Sequence, residues 1–543
     1  MSDIKNIIGK ICPEAQFTDG DILEVTVPDM VWHPLAEALR NTKGLEFDLL
    51  SAVVGMDWKE NFGVVYYLTS TVRNWDMLTV KVIAADREDP MIHSVSDIWG
   101  VANFQEREVF DFFGIKFINH PDMRRFFLRN DWVGYPLRKD YDASPELNPI
   151  RLDDEINEDD TCAYIEQPDG SIVKEDRKGF GPDEYVINVG PQHPSTHGVM
   201  RFRCALDGEI INKVDIVSGY IHRGIEKLCE SLGYPQTLHF TDRMDYMSAH
   251  MNRHCLCMCV EKALGIEVPK RAQVIRTMMD ELMRISSHLL SFGCAAMDLG
   301  ATTAFFYGFR EREQVLDIFE KTCGARMSMN YNVIGGVVAD LHPDFRKDVK
   351  ALIEIMPERL KEYHKVFTGN IIAQNRMKGV GILPKENAIS YAITGPSGRG
   401  SNFSCDCRKK HPYAVYDEVD FDEVLLDGCD SFSRYMVRMK EIEQSCRILE
   451  QLVDRIPEGE IRAQVPKLIK LPVGHWYQQV EASRGTFGVY IESDGGKTPY
   501  RMHFQSPCFN LVGAVDQCTR GLMIADLITV EAILDFVIPD IDR

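Results

Sequence analysis

No two cysteines in this chain are spaced C-x-x-C, although fifteen are spread along its 543 residues. The nearest groupings are Cys255, Cys257 and Cys259, and the pair Cys405 and Cys407. On a helix, residues two apart point to different sides, so the first set makes a poor chelate. No iron–sulfur or zinc motif is visible. With no secretory signal in the polar start "MSDIKNIIGKICPEAQ", the cysteines are expected to be reduced thiols. A G-x-G-x-x-G fingerprint in a strand–turn–helix context is missing too, so no dinucleotide-binding site is expected on this chain. Positive charge is scarce: 61 Lys and Arg against 82 Asp and Glu give a net charge of −21. That excludes a nucleic-acid partner and disfavours docking on anionic lipid. Long apolar runs are lacking as well. The best candidate, residues 289–309, carries Asp298 at its middle, and a charge at a bilayer centre costs about 3 kcal/mol. A buried helix and turn is the better reading. There are no repeats or low-complexity tracts.

What is present is an ordinary globular composition, 45% hydrophobic and 26% charged, long enough for two or three domains. The fold class expected is α+β. Residues 1–145 read as an α/β domain, with strand-like runs "ILEVTVP", "FDLLSAVVGMDW", "GVVYYLTST" and "MLTVKVIAA". Two helical patterns, "HPLAEALRNT" and "SVSDIWGVANFQEREVFDFFG", accompany them. A basic, aromatic run, "NHPDMRRFFLRNDWVGYPLRKDY", follows and looks like a docking surface. Residues 146–182 lose periodicity, gain acid and read as an exposed linker; the alternative is a clamp on one domain. Residues 183–543 open with strands around a histidine-bearing loop. They then become mainly helical, with apolar periodicity over about 235–264, 269–299, 303–323, 342–368 and 431–455. This implies a helical bundle with a small antiparallel sheet at one end.

The loop "GPQHPSTHG" sets His193 and His197 among turn-forming residues. A turn needs Gly and Pro but not imidazole; capping, metal binding and proton transfer all stay open. In "GYIHRGIEKLCE", Arg223 could hold a carboxylate or an anionic cofactor, or pair with Glu226. "FTDRMDYMSAHMNRH" places Asp242, Arg243, Asp245 and Tyr246 at the entry of a long helix. His250 and His254 are spaced for a metal, but the Glu of H-E-x-x-H is absent, so a packed pair is the default. Asp298, an acid inside an apolar run, needs a partner; a histidine, an arginine or an N-cap role would serve.

Taken together, residues 183–543 resemble the quinone-site D-type subunit of respiratory complex I. The resemblance rests on "GPQHPSTHGVMRF", "HRGIEKL", "DRMDY", "MDLGATTAFFYGFRERE", "ARMSMNYNVIGGV", "ESDGGKTPYR" and "DIDR". Residues 1–143 resemble the C-type subunit through "EREVFDFFGIKFINHPDMRR" and "GYPLRKDY", so the whole resembles the fused C/D-type polypeptide of certain bacteria.

The resemblance implies a larger domain like the nickel–iron hydrogenase large subunit. It also implies a peripheral-arm role on the cytoplasmic side of the bacterial inner membrane, in a proton-translocating complex. His197 and Tyr246 would bind the quinone headgroup, with Asp298 as the acid partner of a charged His197. His193, Arg223, Arg243 and Asp245 would line the quinone cavity or face a partner's cluster. The chain itself would bind no metal or cofactor. Its partners would be a small B-type subunit that carries the terminal iron–sulfur cluster, other iron–sulfur subunits, and a membrane-arm protein at the quinone entrance.

A hydrogenase is excluded, because its two C-x-x-C pairs fall here on Asp245, Ser248, Val537 and Asp540. A purely structural assembly subunit is the alternative. Two departures from the family stand out. Ser328 occupies the position of a usual His, pointing to a low-potential quinone such as menaquinone rather than ubiquinone. A helix-containing segment before Glu481 is shortened.

Overall fold

The computed structural model describes residues 2–142, 144, 159–191 and 197–543. His193 lies outside them. The four strand-like runs of the N-terminal part build a five-stranded sheet, in the order Gln16–Thr18, Leu23–Pro28, Met77–Ile83, Phe62–Thr69, Leu49–Asp57. Only Leu23–Pro28 and Met77–Ile83 run parallel. Phe62–Thr69 is buried at every residue, because the sheet is covered on both faces. Val64, Tyr66 and Leu68 join the main core. Val65 and Tyr67 point the other way, onto Tyr477 and Tyr490 of the C-terminal half, and the Tyr67 and Tyr477 rings stack at 4.2 Å. The helix Ala102–Phe113 crosses Leu49–Asp57 so closely that a Cβ at Gly55 would lie 2.6 Å from Phe113.

Within the stretch expected as an acidic linker, residues 160–178 are instead a hairpin, Asp160–Glu166 with Ile172–Lys178. Its first strand pairs at Tyr164 with Ile118, extending the short strands Met91–His93 and Lys116–Ile118. Alternation of Cys162, Tyr164 and their neighbours inside an acid-rich segment escaped the composition argument, since charge does not prevent edge pairing.

The C-terminal half opens with the antiparallel sheet Tyr185–Val189, Arg201–Asp207, Ile210–Val217. At its centre runs Lys270–Asp298, buried on nearly every face and packed by Ala249–Leu264, Thr302–Cys323 and Ser431–Val453. A second antiparallel sheet, Val473–Ala482, Gly485–Asp494, Arg501–Gln505, closes the other side.

One expected helix, 235–264, is broken. Tyr234–Met244 ends and Ala249–Leu264 begins after a gap in which Asp245 is extended, at φ −97°, ψ 92°. Local helix propensity gave no sign of this break; tertiary contacts of Asp245 impose it.

The basic run of the N-terminal part is a docking surface for the chain's own C-terminal half. Arg124 grips Asp215 through both guanidinium nitrogens, and Lys139 lies 2.8 Å from Glu230. Phe112 and Phe127 stack on the His222 ring at 5.2 and 5.6 Å. The backbone approach is tight: Gly219 has φ +92°, and a Cβ there would overlap the Phe127 carbonyl oxygen.

Candidate active site

His197 adopts a left-handed φ of 51°, and the next residue explains the loop's glycine. A Cβ on Gly198 would meet Ile538 at 2.5 Å, so the loop can lie against the C-terminal segment only with glycine there. Tyr246 stands in the break between the two helices. Its ring meets the His197 ring edge-on, centroids 6.4 Å apart.

Beneath this pair lies a charge cluster that the sequence did not announce. The hairpin Val473–Ala482/Gly485–Asp494 turns on Ser483 and Arg484, with Ala482 paired to Gly485. Its tip is pushed into the protein, leaving the Arg484 side chain fully buried. Arg484 donates to both oxygens of Asp245 at 3.3 and 3.1 Å and to the Ser287 hydroxyl at 3.1 Å. It also donates to the Asp535 carboxylate at 3.2 Å and the Asp535 carbonyl at 2.7 Å. Asp535 caps Ile524–Leu534 in a left-handed conformation, and Arg438 stands 3.7 Å from it. Breaking one partner out of such a buried set costs about 3–5 kcal/mol. Asp245 also accepts from the Met247 amide at 3.0 Å. Asp245 is therefore held from both sides, and this fixes the extended residue that presents Tyr246.

These charges act on the two rings. Burial pushes the His197 imidazole below its ordinary value; Asp535 and Asp245 pull it up, and Arg484 and Arg312 push it down. A lowered value favours the uncharged ring at neutral pH. Burial raises the Tyr246 phenol, against Arg484 and with Asp245, Cys294 and Asp535, so it stays protonated.

Asp298 ends the helix Lys270–Asp298, half-buried. Its charge acts on Cys294, one turn back, and on Glu531. Asp535 is the larger influence on His197. Arg223 and Arg243 sit together on the surface: Arg223 donates to the Arg243 carbonyl at 3.1 Å, and Arg243 to the His239 carbonyl at 2.9 Å.

The two-histidine metal reading does not hold. His254 pairs with Asp280 at 2.7 Å, while His250 packs on Phe319 at 5.0 Å, where burial drives it down to about 3. Among the described residues, the group with metal-like spacing is Glu108, Glu226 and His503. There Arg501 and Arg543 already reach Glu226, at 2.7 and 3.3 Å.

Residues 298–543 match the family described as "Respiratory-chain NADH dehydrogenase, 49 Kd subunit", and residues 25–146 match the corresponding "30 Kd subunit". The fused C/D polypeptide of the NADH-quinone oxidoreductase of Phocaeicola vulgatus is 57% identical over 511 residues, covering 93% of this chain and 97% of that protein. The chain belongs to the fused C/D family of NADH-quinone oxidoreductase subunits. The fused C/D polypeptide of Nitrosospira multiformis is 38% identical over 89% of this chain. The separate D-type protein of Desulforamulus reducens is 44% identical over 66% of this chain and 98% of its own length. The chain is thus a component of complex I, an oxidoreductase, with mixed helix and strand and with both family domains on one polypeptide. Among the described residues no helix is long and apolar enough to cross a membrane.

The cluster residues Arg484 and Asp535 were missed by motif reading. One signal was available: isolated acids in the apolar run "AILDFVIPDIDR" pose the same partner question as Asp298.

Proposed function

We propose that this protein forms the quinone-reduction site of its complex, with His197 and Tyr246 as the headgroup pair. The observation that carries the reading is their juxtaposition at 6.4 Å over a buried, fixed arginine–aspartate cluster. Two electrons and two protons convert a quinone to a quinol. A neutral phenol can donate a hydrogen bond to one carbonyl oxygen and pass its proton as negative charge develops there. The neutral His197 imidazole has one N–H to donate and one nitrogen free to take a proton. Arg484, fixed close by, favours negative charge at the headgroup. Asp298 belongs to the same proposed site as the acid partner of His197.

Electrons would come from an iron–sulfur cluster on a small B-type partner, with Arg223 and Arg243 facing it from the surface they share. His193 belongs to the same proposed surroundings. Other iron–sulfur subunits and a membrane-arm protein complete the proposed neighbours, on the cytoplasmic side of a bacterial inner membrane, in a proton-translocating assembly. Ser328, at φ 52°, supplies no titratable cation near that cluster. This favours a low-potential quinone such as menaquinone; a full proton-linked slope in the cluster's potential would count against it.

The test is Tyr246→Phe in the assembled complex. Quinone reduction is expected to fall at least tenfold, while reduction of a soluble dye that takes electrons upstream and assembly of the complex persist. Full quinone activity would overturn the site assignment and favour a purely structural role.

A further inference from the structure

The loop that carries His197 is seated between two isoleucines. His197 holds a left-handed φ of 51° and Gly198 a φ of 156°, conformations kept only where the surroundings over-determine them. A Cβ at Gly198 would lie 2.5 Å from the Ile538 Cβ on one side and 3.3 Å from the Ile221 Cδ1 on the other. The two walls of this cleft come from distant parts of the sequence. Ile221 follows the strand Ile210–Val217, and Ile538 opens the short helix Ile538–Ile541.

One residue ties both walls. The Asp542 amide donates to the Ile538 carbonyl at 2.8 Å, which ends the short helix. The Asp542 Oδ2 accepts from the Ile221 amide at 3.1 Å. Its Oδ1 accepts from the Gly219 amide at 3.0 Å and from the Ser218 hydroxyl. The Asp542 carbonyl accepts from the His222 Nδ1 at 2.8 Å. Asp542 is fully buried, and its carboxylate is spent on two amides and a hydroxyl. Charge-assisted bonds of this kind are short and strong, and they fix a loop.

We propose that Asp542 is a positioning residue for His197: by holding Ile221 and Ile538 at a set separation, it fixes the cleft that seats Gly198 and so aims the imidazole at the quinone headgroup. The proposal rests on the reading of His197 and Tyr246 as the headgroup pair. Asp542 acts only through the cleft, so it is not a catalytic residue. Tyr246 is held by another route, through Asp245 and Arg484. The bond proposed from the His197 N–H is made to bound quinone before any electron arrives. Misplacing the ring therefore weakens binding and raises KM, whereas a loss of folded complex lowers the apparent kcat at constant KM.

The experiment is steady-state reduction of a short-chain quinone by the assembled complex, with upstream dye reduction as the control. Asp542→Asn keeps an oxygen for Gly219 and Ser218 but turns an N–H towards the Ile221 amide, which loses its acceptor. KM is expected to rise at least about fivefold, the weight of one net hydrogen bond, with dye reduction unchanged. In a His197→Ala chain the same substitution should change KM less than about twofold, because residues that act through one group are not additive. Ile221→Ala opens one wall and leaves the carboxylate in place. It should repeat both results, and it decides the matter if Asp542→Asn fails to assemble. A wild-type KM in either assembled variant, or an equal rise with and without His197, overturns the proposal. If His197→Ala alone leaves KM and kcat unchanged, the headgroup reading falls and the proposal with it. If His197→Ala raises KM while Asp542→Asn and Ile221→Ala do not, only the positioning role is wrong.

Discussion

Replacing Arg543 by methionine isolates one interaction between the two halves of the chain. Arg543 is buried; it donates to Glu108 of the N-terminal part at 2.5 Å and to Glu226 of the C-terminal part at 3.3 Å. Methionine retains the apolar stem packed on Phe509 but removes the charge. Glu226 keeps Arg501 at 2.7 Å, His503 at 3.0 Å and the Phe504 amide at 3.1 Å. Among the described residues Glu108, 4% exposed, has no other ion partner. The loss therefore falls on Glu108.

An unpaired buried carboxylate escapes by taking up a proton. From an ordinary carboxyl pKa of about 4.3, that costs about 3.7 kcal/mol at pH 7 and about 1 kcal/mol at pH 5. The pH 7 figure matches the 3–5 kcal/mol typical of breaking a buried pair. Arg543→Met should thus destabilise strongly at pH 7 and mildly at pH 5. Glu108→Gln in the same chain should recover most of the loss at pH 7. Apparent unfolding midpoints of the four chains, read by intrinsic fluorescence at both pH values, form the double-mutant cycle. A penalty equal at both pH values, or one that Glu108→Gln does not relieve, would refute the assignment of the loss to Glu108.

Two further outcomes follow from the packing of the N-terminal part. Glu106 is fully buried, accepts from the Ser94 hydroxyl at 2.6 Å and the Val95 amide at 2.9 Å, and is pushed up to about 8 by burial. Its folded value lies above its unfolded one, so its contribution is intact below about pH 4.5 and is lost as pH rises through 8, by up to about 5 kcal/mol. Glu106→Gln should flatten the decline of the unfolding midpoint between pH 6 and 9, and an unaltered decline would contradict this. Gly219→Ala forces a Cβ against the Phe127 carbonyl at φ +92°, which should cost about 3–5 kcal/mol from overpacking and strain together. Limited proteolysis should then cut the 124–139 segment, whereas a wild-type digestion pattern would show that the two halves can separate slightly without loss.

Much of the architecture was legible. The β-branched and aromatic runs of the N-terminal part became strands because such residues fill a sheet covered on both faces, as Val64 to Leu68 do. The long helices kept their expected extents, Lys270–Asp298 and Thr302–Cys323 among them. Tertiary contacts decided the rest. The break at Asp245 depends on Arg484, 239 residues away, and no local pattern in "DRMDYMSAH" reports it. Arg484 itself reads as a hairpin-turn residue, a place where charge is ordinarily solvated; its burial follows from the second sheet inserting its tip into the bundle. His197 and Tyr246 were singled out through a motif, whereas Asp535, whose charge also bears on His197, lies in an apolar run whose sequence says nothing of distance across the fold.

Four buried positions around Tyr246 (Asp245, Ser248, Val537 and Asp540) show what kind of chemistry this place supports. Ser248 and Val537 are buried, and the Val537 side chain offers nothing to a metal. Asp245 and Asp540 are hard oxygen ligands, and Asp245 is already saturated by Arg484 and a backbone amide. None of the four offers the thiolate a soft transition metal prefers, and a guanidinium stands among the acids. What a buried arginine, three aspartates and a phenol do well is hold protons at defined energies and stabilise an oxyanion, since burial moves their titration and fixed dipoles need no rearrangement. Asp540 is raised, His197 lowered and Tyr246 raised within this one cluster. Spreading titration ranges in this way separates proton donors from acceptors. That separation is what the two-proton reduction proposed for this site requires.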